Sequence, residues 1–376
     1  MTETPTGSAD PIPLPLAALH AELGARMVPF AGHAMPVQYA AGVMAEHLHT
    51  REKAGLFDVS HMGQVILRGP DAAAALERLI PMDVAGLAEG RQRYGLLTNA
   101  AGGVEDDLMF ANRGDHLFLV VNGAMKHSDM AILTAGLPDH KVTLLDDRAL
   151  LALQGPSAET VLDALIPGVA AMRFMDVASH AWNGADLWIS RSGYTGEDGY
   201  EISIPVEAAE AFARALLAHD DVLPIGLGAR DSLRLEAGMP LYGQDLTPEI
   251  SPLEAGLVWS IQKIRRGGGA RAGGFPGSER ILSELESGTD RRRTGLAPEG
   301  RAPMRAGVML YSDETATAPI GTVTSGGFGP SVGTPVAMGY VPADCTAGTT
   351  LYGDVRGRRL PVTVTDLPFH APRYKR

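Results

Sequence analysis

Apolar residues recur along this chain in two rhythms. Short runs at Gln64–Leu67, His116–Asn122, Leu150–Leu153, Ala185–Ser192 and Tyr200–Pro205 alternate or carry β-branched residues, which predicts strands. Longer runs at Val206–His219 and from about Ala229 to Ala237 predict helices. One pattern occurs twice. Gly69-Pro70-Asp71-Ala72 leads to Leu76, Leu79, Ile80 and Pro81; Gly155-Pro156-Ser157-Ala158 leads to Leu162, Leu165, Ile166 and Pro167, at identical offsets. Each copy follows a strand-like run, places a proline where a first helical turn tolerates it, and ends on a second proline. The chain therefore contains two related strand–turn–helix units. After Thr294 the pattern changes to short strands broken by Gly and Pro, and Thr349–Leu367 predicts a hairpin turning at Arg356-Gly357. The class is α+β with a small all-β C-terminal domain. The expected division is 1–264, with one lobe inserted at about 55–145, a Gly/Arg-rich connector at 265–290 that reads as a linker or mobile loop, and a β-barrel-like domain at 291–376.

Composition narrows the function. The chain has 376 residues, 45% apolar and 20% charged, an ordinary globular balance. Its formal charge of -12 argues against a nucleic-acid partner, which needs a basic face. The exception is Lys263–Arg305, with ten Lys/Arg against five Asp/Glu, which reads as a solvated linker or a docking site for an acidic protein. Cys345 is the only cysteine, so no intrachain disulfide forms, and a reducing, cytoplasmic setting is expected. Met1–Leu16 lacks the features of a secretory signal, and no apolar run is long enough to span a membrane.

Generic motifs add little. Gly329-Pro330-Ser331-Val332-Gly333 matches a nucleophile elbow in letters, but a strand-like run follows where a helix is needed. His47, His49 and His61 lack metal-ligand spacing and read as helix-surface and packing residues; no metal site is expected. Four segments carry more chemistry. They are Phe57–Met62; Tyr94 through Asn99 to Gly102-Gly103-Val104-Glu105-Asp106-Asp107; Ser192–Glu201; and Gly226–Gly238. Strand neighbours point to opposite faces, so Asp106 and Asp107 cannot share a cavity. Taken alone, the acidic run reads as a solvated turn, and Glu201, alternating with Ile202 and Ile204, as a solvated carboxylate. Arg230 opens a helix where the dipole disfavours a cation, which points weakly to a ligand.

Together the four segments resemble the aminomethyltransferase family, the T protein of the glycine cleavage system. So do Gly24–Gly32, Tyr242-Gly243-Gln244-Asp245, Ser325–Ser331 and Tyr374-Lys375-Arg376. The resemblance implies three lobes around a central folate site and transfer of a one-carbon unit from the aminomethyl-lipoyl arm of the H protein to tetrahydrofolate. The products are 5,10-methylenetetrahydrofolate and ammonia. It further implies that Asp106 faces the folate nitrogen as the catalytic carboxylate and that Glu201 accepts the pterin N–H groups. Arg230 meets the anionic tail with Tyr374 or Tyr194 beside it, and Tyr94, Met62, Val120 and Asn122 line the pocket. His33 and Glu105 depart from the family pattern. A folate-dependent demethylase is the near rival, but Phe57–Met62 resembles the aminomethyltransferase version. A non-catalytic iron–sulphur assembly relative would carry K-G-C-x-x-G-Q-E, which is missing here.

Overall fold

Residues 10–376 are described by a computed structural model. Strand Ala54–Asp58 lies beside strand Arg148–Gln154, antiparallel, in the middle of a six-stranded sheet, although some 90 residues separate them in sequence. The intervening chain folds into its own sheet. Its five antiparallel strands lie in the order Arg91–Thr98, Val104–Asn112, Leu117–Val121, Gly63–Arg68, Lys141–Leu145. A lobe is thus inserted between two neighbouring strands of another.

The two copies of the repeated pattern fall one in each sheet. Strand Gly63–Arg68 runs into helix Ala72–Leu76, and strand Arg148–Gln154 into helix Ala158–Leu165. Both turns open on a glycine at positive φ, Gly69 at 151° and Gly155 at 128°, a conformation costly for any residue with a Cβ. The prolines stand just before the N-caps Asp71 and Ser157 rather than inside the first turn, so each helix begins slightly later than its proline suggests. Leu76 and Ile80, and Leu162 and Ile166, are buried in the two lobes' separate cores.

The C-terminal strands, from Arg291–Pro298 to Arg358–Thr365, close a six-stranded barrel around Leu296, Met304, Val323, Val341 and Val362. Its last hairpin turns at Arg356 and Gly357, both at positive φ. Gly329 to Thr334 is likewise a turn between two barrel strands, so the G-x-S-x-G letters stand in a hairpin with no helix behind them.

Helix Leu227–Glu236 is the joint of the molecule. It touches strand His33–Gln38, helix Val43–Glu52 and barrel strand Gly321–Gly329. Arg234, 1% exposed, reaches from it to Asp245 at 2.7 Å and to Ser325 at 2.8 Å, linking it to the barrel. No described helix is long and apolar enough to cross a membrane.

The basic segment is not a free linker. Arg265 is buried and pairs with Glu77 at 3.3 Å; Arg271 pairs with Glu77 and Asp83. Arg280 and Arg291 both grip Glu254, and Ser278–Ser287 is a helix. The carboxylates of the inserted lobe and of the 245–255 loop therefore take up much of its positive charge.

Candidate functional site

The site is built on strand Val104–Asn112. The turn before it is tight: Asn99 Oδ1 accepts the N–H groups of Ala101 and Gly103 at 3.0 and 2.9 Å. A Cβ on Gly103 would stand 1.7 Å from the Pro248 carbonyl oxygen, so only glycine fits. From there the strand alternates. Val104, Asp106, Leu108 and Phe110 are buried on the core side; Asp107 and Met109 take the other face.

The expectation that Asp106 looks into the cavity is therefore corrected. Asp106 is 0% exposed and shares its face with Leu108 and Phe110. Asp107 is the carboxylate on the open face. Tyr94, paired across the ladder with Met109, donates its hydroxyl to Asp107 Oδ2 at 2.9 Å. Asn122 Nδ2 donates to Asp107 Oδ1 at 2.7 Å and to Asp106 Oδ1 at 2.8 Å, so this one amide spans both aspartates. Burial first, and the neighbouring Asp106 second, push the Asp107 carboxyl up to about 7, against the pull of Tyr94 and Asn122. Asp106 is also raised, by burial and then by Asp129.

Across from this strand lies the six-stranded sheet. Alternation along Gly199–Pro205 buries Ile202 and Ile204 and turns Glu201 and Ser203 to the opposite face. Glu201 Oε2 accepts the Ser192 hydroxyl at 3.0 Å. Between the two sheets is a narrow cleft with Met109, Phe118, Val120, Leu150 and Glu201 among its lining. Asp107 lies two residues from Met109 on the same strand face, outside the cleft lining itself.

The third side is helix Leu227–Glu236. Ala229 and Leu233 pack with Leu150, Met62 and Val120, which carries Arg230 to the same wall. The Arg230 guanidinium lies 4.8 Å from the Tyr194 ring centroid, and its buried Nη1 has no hydrogen-bond partner. Burial lowers its pKa, while the nearby Glu201 and Tyr194 oppose that. A buried guanidinium N–H left open is a costly feature that an anionic ligand would satisfy. His61 sits close by, buried, held neutral by burial and by the charge of Arg230, its pKa pulled down to about 3.

Of the residues expected at the site, Val120 and Glu201 line this cleft; Met62 packs with Val120, Tyr94 and Asn122 hold Asp107 on the strand face of Met109, and Arg230 lies over Tyr194 near Glu201. Tyr374 belongs to a different group: its ring stacks on Phe174 at 4.2 Å, near Arg51 and Glu197. Sequence reasoning missed Asp129, fully buried on helix Lys126–Gly136, and Trp259, which is 61% exposed and stacks on Tyr94 at 5.5 Å. Nothing in either residue's sequence context marks it, because both meet the site through long-range packing. Nor is His47 a helix-surface residue: it is 0% exposed and bound to Ser232, Glu236 and Ser331. Among the described residues no cluster of His, Cys, Asp and Glu could hold a metal ion.

Two lobes, each with its own sheet and core, and a closed C-terminal barrel define a three-lobed α+β fold. Comparison with known proteins agrees. The GCVT N-terminal domain matches residues 16–265, and the glycine cleavage T-protein C-terminal barrel domain matches 291–370. The mitochondrial aminomethyltransferase of Dictyostelium discoideum is 41% identical, over 95% of this chain and 92% of its own. That of Gallus gallus is 42% identical, over 96% and 93%. The crystal structure of the glycine cleavage system aminomethyltransferase T from Bartonella henselae superposes with a TM-score of 0.91 at 43% identity, over 98% of this chain and 100% of that one. The chain belongs to the glycine cleavage T-protein family, the aminomethyltransferases.

Proposed function

We propose that this chain transfers the one-carbon unit of an aminomethyl-lipoyl arm, carried by the H protein, to tetrahydrofolate, with Asp107 as the working carboxylate. The observation that carries this reading is the placement of Asp107: half-buried on the strand face that presents Met109 to the cleft lined by Glu201, held by Tyr94 and Asn122, with the Arg230 helix packed on Val120 and Leu150 of the same lining.

The residues fit the substrate. A pterin edge presents adjacent N–H donors, which suits the Glu201 carboxylate. A folate tail is anionic, which suits the open Nη1 of Arg230. Met62 and Val120 supply an apolar wall. The chemistry needs a group that handles protons. Two new C–N bonds to folate release two protons; breaking the C–N and C–S bonds takes up two, giving ammonia and a thiol. A carboxyl raised to about 7 is balanced to accept a proton from a folate nitrogen and to pass it on. Ionised, it also stabilises an iminium-like carbon. No step of this proposal uses a metal.

Turnover of lipoylated H protein and tetrahydrofolate by Asp107→Asn and Asp106→Asn tests it. Asp107→Asn is expected to lose activity by on the order of 100-fold, with Asp106→Asn less affected. Normal turnover by folded Asp107→Asn overturns the assignment.

A further inference from the structure

Strand Leu117–Val121, which carries Val120, leads through Asn122 into helix Lys126–Gly136, whose first residue is Lys126. The turn between them packs hard on His61. A Cβ on Gly123 would stand 2.7 Å from the His61 carbonyl oxygen and 2.8 Å from ring carbon Cδ2, so only glycine fits there. The half-buried Lys126 is thereby brought beside His61. Its Nζ donates to His33 Nε2 at 3.3 Å and lies 3.5 Å from the His61 carbonyl oxygen. His33 is buried, and its Nδ1 stands 2.8 Å from the Ala31 carbonyl oxygen, which can only accept. The ring proton is therefore on Nδ1, and Nε2 receives the lysine N–H. His33, one of the two departures from the family pattern, is thus a neutral holder for Lys126.

No carboxylate answers this cation. Among the described residues Lys126 forms no salt bridge, and burial lowers its pKa with no neighbouring acid to offset it. Arg230 is in a similar state: it forms no salt bridge among the described residues, and its buried Nη1 has no partner. Both cations stand in the first turn of a helix, where the dipole favours an anion and disfavours a cation. His61 is close to both. It is 4% exposed, its Nδ1 has no partner, and the charges of Arg230 and Lys126 add to burial in keeping it neutral. Two unanswered cations and an open imidazole nitrogen therefore gather at one place, beside Met62 of the site.

We infer that Lys126, held by His33, is a second carboxylate anchor for the folate tail, separate from Arg230, so that the site selects a substrate whose tail carries two carboxylates. The inference rests on the reading of this chain as a tetrahydrofolate enzyme with Arg230 on the tail. A folate tail ends in a glutamate, which has an α- and a γ-carboxylate. One guanidinium answers one of them. The other would lose water in a half-buried site without a partner, which is costly. Lys126 supplies a compact charge whose N–H groups turn freely to meet it. Because His33 and His61 are neutral, two cations face two anions and the charge balances. The anchors also belong to different parts of the fold, Lys126 to the inserted lobe and Arg230 to helix Leu227–Glu236, so a tail bound at both carboxylates ties the two together.

The experiment is calorimetric titration of the full chain with tetrahydrofolate and with its two monoamides, in which the α- or the γ-carboxylate alone is neutral. Wild type is compared with Lys126→Gln and Arg230→Gln, and thermal unfolding shows that each variant is folded. Wild type is expected to bind each monoamide about ten-fold more weakly than tetrahydrofolate, the loss of one charge-assisted contact. Lys126→Gln is expected to bind tetrahydrofolate about ten-fold more weakly than wild type and to become indifferent to amidation of one carboxylate, while still losing affinity on amidation of the other. Arg230→Gln is expected to show the reverse pattern. The KM for lipoylated H protein is measured alongside.

A lysine that merely supports the fold would lower Tm without separating the two monoamides. Unchanged tetrahydrofolate affinity in folded Lys126→Gln overturns the inference. Indifference of both variants to the same carboxylate overturns it as well, because one anchor then serves the tail. A rise confined to the KM for H protein gives Lys126 to the partner and overturns it too. A wild type that binds no tetrahydrofolate removes the reading beneath the inference, and the inference with it.

Discussion

Two buried polar clusters in this protein have opposite chemistry. One joins helix Val43–Glu52, helix Leu227–Glu236, the 329–334 barrel turn and the C-terminal tail. Here Arg51 donates to Glu197 at 2.9 Å, to Glu236 at 3.1 Å and to the Thr195 carbonyl at 2.7 Å; His47 meets Glu236 and Ser331; Arg373 adds a second cation to Glu197. The other is the Asp106–Asp107–Asp129 group, which has three carboxyls and only neutral donors from Tyr94 and Asn122. In both, most of the charged groups are buried, Glu197 and Glu236 in the first and Asp106 and Asp129 in the second. In the first, each buried charge meets its opposite, and the cluster clasps the lobes. In the second, charge is left uncompensated, so the group must hold protons, and a group that holds protons near neutral pH can move them. Burial of polar groups therefore says little by itself; how the charge is balanced separates the clasp from the candidate chemistry.

The comparison is broken most severely at Arg51. Arg51→Ala leaves Glu197 and Glu236 short of a partner and is expected to cost about 3–5 kcal/mol of stability. Turnover per folded molecule should barely change. Denaturant unfolding and kcat, measured together, check this.

Asp107→Asn is expected to do the reverse. Its turnover loss, on the order of 100-fold, corresponds to about 2.7 kcal/mol in the barrier, with Tm held or raised because a buried carboxyl with only neutral donors has been removed.

Glu201→Gln sharpens the ligand side of the comparison. Losing a charge-assisted contact should weaken folate binding by about 1.5–3 kcal/mol, read by calorimetric titration.

The pH dependence of stability should carry opposite signs in the two clusters. Asp107 is raised in the folded state, so its contribution is present below the unfolded value near 3.8 and is lost as pH rises through about 7. Glu236 differs. Burial alone would raise it, but His47 and Ser331 hold it down to about 2, so its contribution is present above the unfolded value near 4.5 and is lost as pH falls toward 2. Melting temperature against pH should fall on both sides, and Asp107→Asn should flatten only the neutral side.

The smallest effect belongs to the half-buried Arg271, whose pairs with Glu77 and Asp83 lie partly in solvent. Arg271→Ala should cost no more than about 1 kcal/mol by thermal unfolding.

Much of this molecule was legible in the order of its residues. The repeated Gly-Pro-x-Ala pattern announced two strand–turn–helix units, because a positive-φ glycine, a proline and an i, i+3, i+4 apolar stripe are local demands. Alternation placed Ile202 and Ile204 inward and Glu201 outward, and Arg356-Gly357 marked the last barrel turn. The rule that Asp106 and Asp107 oppose each other was also local and held. Which of them faces the cleft was not local. Leu108, Met109 and Phe110 are all apolar, so parity along the strand could not say which side was core; that was decided by the leucines and phenylalanines of the inserted sheet and its helices closing over Leu108 and Phe110. The same holds for the basic segment, whose charge looked free until Glu77, Asp83 and Glu254 arrived from distant parts of the chain. Asp129, too, became visible only when its helix was laid against the strand. Backbone geometry and side-chain period act over a few residues and can be read directly. Burial and charge balance depend on what the fold brings within a few ångströms, and only the tertiary structure decides that.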